Sequence, residues 1–131
     1  MADLLVVDDD SDLAETLGEI LRQSGHAVRI GGDGAEGARL VAEHRPDLVL
    51  LDVDMPVLGG PDMAWLLFLR DCGDEDVPVL LLSGTPGLAD VAAQAGTPYF
   101  LPKPYETEAV LALIARALSE RIAPRPKPRS S

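Results

Sequence analysis

Cysteine is almost missing from this 131-residue chain: Cys72 stands alone. A lone cysteine excludes an internal disulfide and a cysteine-based zinc site. Positive charge is scarce as well. Eleven Lys and Arg face twenty-two Asp and Glu, giving a formal net charge of −11. A duplex-binding domain needs clustered bases on phosphate, so no DNA binding is expected of this domain. Long apolar runs are absent, and the strongest, residues 63–69, is far too short to span a bilayer. Met1-Ala2-Asp3 shows no basic region leading into an apolar stretch, so no signal peptide is expected. No internal repeat or low-complexity block is present. What remains is a 47% apolar, 25% charged composition, which suits a soluble, cytoplasmic, single-domain protein able to bury roughly two-thirds of its unfolded surface.

The few bases are unevenly placed. Residues 119–131 hold Arg121, Arg125, Lys127 and Arg129 against Glu120, a net +3, leaving −14 for residues 1–118. Alternating prolines in that tail disfavour a helix and favour a flexible, extended, solvated segment. The domain is therefore expected over 1–118, with 119–131 as a basic tail. Of the two lysines only Lys103 lies in the body, where every other base is arginine.

Hydrophobic periodicity alternates between short apolar runs and longer amphipathic ones. Leu4-Leu5-Val6-Val7 reads as a strand covered on both faces and stops at Asp8-Asp9-Asp10. Ser11 is expected to cap a helix carrying Leu13, Leu17, Ile20 and Leu21 on one stripe, closed by Gly25. Residues 26–30 read as a second strand and 35–43 as a second helix. Leu48-Val49-Leu50-Leu51 is the third strand, ending in Asp52. A loop over 53–60 follows, and Pro61 opens a helix to about Cys72. Val79-Leu80-Leu81-Leu82 ends in Ser83-Gly84, and a weak Ala-rich helix covers 88–95. Tyr99-Phe100-Leu101 makes a last short strand before Pro102-Lys103-Pro104. The final helix aligns Val110, Leu111, Ile114, Ala117 and Leu118. Five strands alternating with five helices imply a parallel sheet wrapped on both faces, with a site at the carboxyl ends of the strands. Asp8, Asp9, Asp52, Ser83 and Lys103 all fall at that edge.

Three converging carboxylates repel one another, and a hard divalent cation relieves the repulsion. Without His or Cys nearby the ligands are oxygen only, which favours Mg²⁺. A carboxylate beside such an ion and a lysine is arranged to attack phosphorus. Asp52, the most central, is the candidate acceptor. Lys103 pairs with a phosphoryl oxygen, Ser83 donates its hydroxyl to another, and Gly84 lets its backbone N–H approach.

Val6-Val7-Asp8-Asp9, Leu50-Leu51-Asp52-Val53-Asp54-Met55-Pro56 with Gly60, Leu81-Leu82-Ser83-Gly84 and Lys103-Pro104 together resemble the receiver domain of bacterial two-component response regulators, from about Leu4 to Leu118. The resemblance implies a flavodoxin-like, doubly wound α/β fold with strand order 2-1-3-4-5. It also implies that Asp52 takes a phosphoryl group from a histidine kinase or phosphotransfer protein. Asp9, Asp52 and the backbone carbonyl of Asp54 would bind Mg²⁺, with Asp8 assisting. Lys103 would pair with the phosphate, Ser83 and Phe100 would form the switch, and the Lys103–Pro104 peptide would be cis. A downstream protein would bind over residues 88–118. Asp54 departs from the common pattern as an extra carboxylate, and Pro102 is expected to stop the last strand early.

Taken singly, Asp8 and Asp9 read as loop acids, Asp10 and Asp12 as capping and solvated residues, Ser83 as a turn residue, Lys103 as a surface lysine and Phe100 as core packing. Only their joint placement carries the functional reading. Asp52-Val53-Asp54 also resembles the nucleophile motif of haloacid dehalogenase-like phosphatases, although there the motif lies on the first strand. Two further alternatives are a module of a larger regulator or hybrid kinase and a receiver-like scaffold used only for interaction.

Overall fold

The computed structural model of the protein describes residues 2–53, 69–70, 72–73, 75–84 and 86–125. The five strands are β1 (Asp3–Val7), β2 (Ala27–Gly31), β3 (Leu48–Asp52), β4 (Val79–Ser83) and β5 (Phe100–Pro102). They form one parallel sheet in the order β2-β1-β3-β4-β5. Four helices are complete among the described residues: α1 (Ser11–Gln23), α2 (Gly34–Glu43), α3 (Leu88–Ala95) and α4 (Thr107–Glu120). The helix expected from Pro61 falls mostly outside the described residues; Leu69, Arg70, Cys72 and Gly73 are helical. No helix among the described residues is long and apolar enough to cross a membrane.

Sheet alternation sorts the apolar runs into two cores. Leu5, Val7, Val49, Leu51, Val79 and Leu81 face a layer that includes Val41 of α2 and Leu88, Ala92 and Ala95 of α3, together with Leu69 and Cys72. Leu4, Val6, Leu48, Leu50, Leu80 and Leu82 face α1 and α4. Such runs work as strands because both faces of a parallel sheet are covered. The chain passes from β1 outward to β2 and returns to β3 on the other side, so a crevice opens above the carboxyl ends of β1 and β3.

Several local expectations change. Of the residues read as capping α1, Asp10 rather than Ser11 is the cap: its carboxylate accepts from the backbone N–H groups of Asp12 (3.1 Å) and Leu13 (3.2 Å). A charged acceptor also complements the positive end of the helix dipole. Leu13 leaves the apolar stripe and is 53% exposed, because the first turn of α1 overhangs the rim of the sheet. Tyr99 takes the core position expected of Phe100. Tyr99 is fully buried and Phe100 is 37% exposed, since neighbours along a strand point to opposite faces and β5 is the edge. Pro102 belongs to β5, opposite Ser83; on an edge strand its missing N–H breaks no ladder bond. The tail expected to be solvated from 119 is helical to Glu120 and then packs, with Ala123 and Pro124 buried. Residues 126–131 lie outside the described residues.

Candidate functional site

β1 delivers Asp8 to the crevice. Its backbone N–H donates to the carbonyl of Gly31 at 3.0 Å, extending the ladder one residue past the strand. Its side chain is buried, accepts from the backbone N–H of Asp10 at 2.9 Å and is hydrogen-bonded to Asp52. Burial pushes the Asp8 carboxyl up to about 6, and the adjacent Asp52 adds to the rise, while the Asp10 N–H and Lys103 oppose it.

β3 ends in Asp52, which is only 5% exposed. The Nζ of Lys103 donates to its Oδ2 at 2.8 Å. The lysine reaches that carboxylate because its own backbone N–H donates to the carbonyl of Ser83 at 2.7 Å, fastening the residue after β5 to the end of β4. Ser83 is buried at the carboxyl end of β4, and Gly84 follows at the surface. The Lys103–Pro104 peptide is cis.

The structure thus brings Asp8, Asp52 and Lys103 into direct contact, with Ser83 tied to the lysine through the backbone. Asp9 is exposed at the rim, and Asp54 lies outside the described residues. Among the described residues no three His, Cys, Asp or Glu side chains form a ready-made metal cage. Asp8 and Asp52 meet directly, and Asp9 follows at the rim where the chain continues to the Asp10 cap.

A cavity of about 380 Å³ opens beside this pair, between α1 and α4. Leu13, Leu17 and Ile20 form one wall and Tyr105 and Val110 the other, with Asp8, Asp52 and Lys103 at its polar end. Burial raises the Tyr105 hydroxyl above the usual phenol range, Lys103 opposing and Asp52 and Asp8 adding to the rise. Sequence reading assigned Tyr105 no part in the site. Its signal was its place two residues after Lys103.

Among the described residues, this buried carboxylate pair, beside the Lys103 ammonium, makes an oxygen-only donor set that suits a hard divalent cation held through one or two carboxylates and water.

Comparisons with known proteins identify the family. The family model of the response regulator receiver domain matches residues 4–115. The response regulator MprA of Mycobacterium sp. (strain KMS) is 40% identical over 129 residues, covering 97% of this chain and 54% of the relative. The transcriptional regulatory protein PrrA of Mycobacterium tuberculosis is 40% identical over 120 residues, covering 90% and 50%. The chain therefore spans about half the length of these curated relatives. Among solved structures, a response regulator receiver domain protein from Clostridium thermocellum superposes with a TM-score of 0.77 at 26% identity, covering 92% of this chain and 97% of that one. The receiver domain of NtrX from Brucella abortus gives 0.75 at 29% identity, covering 89% and 98%. With the family model matching residues 4–115 of the chain, this chain belongs to the response regulator receiver domain family.

Proposed function

We propose that this domain accepts a phosphoryl group on Asp52 from the phosphohistidine of a sensor kinase or phosphotransfer protein. The observation that carries the reading is the 2.8 Å contact between Lys103 and a buried Asp52 that is also hydrogen-bonded to Asp8. In the transfer an Asp52 carboxylate oxygen forms the new bond to phosphorus. The phosphorus–nitrogen bond breaks, and the imidazole leaves and takes a proton. Positioning and charge neutralisation supply most of the catalysis in such a reaction. Lys103 shifts from the carboxylate to a phosphoryl oxygen, the Ser83 hydroxyl donates to another, and the Gly84 N–H lies close by. Asp8, Asp52 and Asp9, with the backbone carbonyl of Asp54, would hold Mg²⁺, whose role when bound is to neutralise the charge that these carboxylates and the phosphoryl group concentrate.

Ser83 and Phe100 form the switch in this reading, and Phe100, 37% exposed on the edge strand, turns when Ser83 moves. A downstream partner engages residues 88–118, and the setting is cytoplasmic. The family match sets aside the haloacid dehalogenase-like phosphatase. Because MprA and PrrA are about twice as long as the matched region, the proposal covers signal reception and not transcriptional control.

Incubation with acetyl phosphate and Mg²⁺ should add one phosphoryl group by intact mass, and Asp52→Asn should abolish it. Labelling that survives the substitution would overturn the acceptor assignment. Lys103→Met should fold yet label at least about ten-fold more slowly, because the compensating charge at the phosphoryl oxygen is gone.

A further inference from the structure

Beyond α4 the chain turns under the amino-terminal end of the sheet, the edge opposite Asp52, and closes on the other helical layer. Arg121 makes the turn in the left-handed region at φ +56°, with its backbone N–H donating to the carbonyl of Ala117 at 2.8 Å. Its guanidinium lies 3.7 Å from the Asp47 carboxylate. The buried Tyr99 hydroxyl donates to Glu120 at 2.9 Å and is hydrogen-bonded by the backbone of Ile122. Ala123 and Pro124 are then buried, and the N–H of Arg125 donates to the carbonyl of Gly96 at 3.1 Å.

Two glycines admit this segment. A Cβ on Gly96 would fall 1.9 Å from the carbonyl oxygen of Arg125, and one on Gly73 would fall 2.4 Å from that of Pro124. Backbone meets backbone at both places, so neither side chain rotation nor a small shift would relieve the overlap. Gly96 also closes α3. At its other end α3 starts from Gly87, in the left-handed region and without a side-chain cap, a few residues after Ser83. This short helix thus has no side-chain cap at its start and a close backbone contact at its end.

We propose that residues 121–125 form a strap pinning the carboxyl end of α3, and that phosphorylation of Asp52 loosens it through the segment from Ser83 to Gly96. The second half of this inference rests on the function proposed above. When Ser83 and Gly84 are drawn toward the phosphoryl group, α3 tilts, and the close backbone approach at Gly96 cannot follow. By reciprocity, a strap held fast opposes the phosphorylated arrangement.

Limited trypsin digestion of the full chain reads the strap at the Arg121–Ile122 bond, since Arg125 and Lys127 each precede proline and resist cleavage. Gly73→Ala and Gly96→Ala should each speed cleavage there about ten-fold over the unsubstituted chain, by raising the population of the open strap. Gly25→Ala is the control, because Gly25 shares the left-handed backbone (φ +94°), has nothing within 4 Å of its added Cβ and lies outside the segment from Ser83 to the strap; it should leave the rate nearly unchanged. Gly73 carries no left-handed backbone, so its alanine variant should keep the fold, checked by circular dichroism. An unsubstituted chain cut as fast as Gly73→Ala overturns the strap. Acetyl phosphate with Mg²⁺ should then speed cleavage of the unsubstituted chain but not of Asp52→Asn. A chain that takes the phosphoryl group at an unchanged cleavage rate overturns the coupling alone. One that takes none fails the proposed function and the coupling with it, and leaves the strap standing on the glycine variants.

Discussion

Asp8 carries the electrostatic cost of the site. Its carboxyl titrates at about 6 in the fold against 3.8 in the unfolded chain, so the native state holds the proton more tightly. The stability this group supplies is complete below 3.8 and is lost as pH rises through about 6, on the order of 3 kcal/mol. Thermal melts in chelator should therefore show a less stable protein at about pH 8 than at about pH 5, and Asp8→Asn should remove most of that difference. A slope unchanged in Asp8→Asn would assign the effect to another group. Sequence reading expected Asp8 at the site and could not see this cost, because burial depends on how Asp52 and Lys103 close over it. Tyr99 and Phe100 make the same point for apolar residues. Strand alternation guarantees that one ring faces in and the other out, but only the Glu120 and Ile122 partners of the Tyr99 hydroxyl say which.

Among the elements, α1 separates what periodicity predicts from what packing uses. Leu17 and Leu21 lie in the core beneath it, while Leu13 overhangs the crevice with half its surface exposed. Leu21→Ala should cost about 2–5 kcal/mol in denaturant unfolding, and Leu13→Ala about 0.5 kcal/mol or less. Equal losses would mean that Leu13 is packed in solution. Strand β5 and the segment after α4 depart from their sequence readings for a shared reason. Proline was read as a terminator in both, yet it ends an element only where its missing N–H or fixed φ conflicts with a neighbour. Pro102 faces an open edge, and Pro124 lies across helix ends where an extended backbone is what fits.

For the molecule as a whole, the candidate metal site and the fold share one equilibrium. A divalent ion that binds the folded carboxylates and not the unfolded chain stabilises the former; at ten times Kd this amounts to about 1.4 kcal/mol, or roughly 4–6 °C in Tm. Mg²⁺ should produce such a rise, chelator should reverse it, and Asp52→Asn should abolish it. A Tm indifferent to millimolar Mg²⁺ would remove the ion from the proposal.

The alternation of unbroken apolar runs with amphipathic stretches sufficed to read a parallel sheet between two helical layers, because a strand buried on both faces has no polar position to spare. For the same reason the first polar residue after each run, Asp8, Asp52 and Ser83, was legible as a strand end and so as a site residue. Order within the sheet came through family resemblance, since periodicity does not say which strands are neighbours. Which carboxylates meet, which ring is inside and where the chain after α4 comes to rest were settled by contacts between segments distant in sequence. Lys103 and Asp52 are 51 positions apart; no local pattern encodes a distance that the packing of five strands creates.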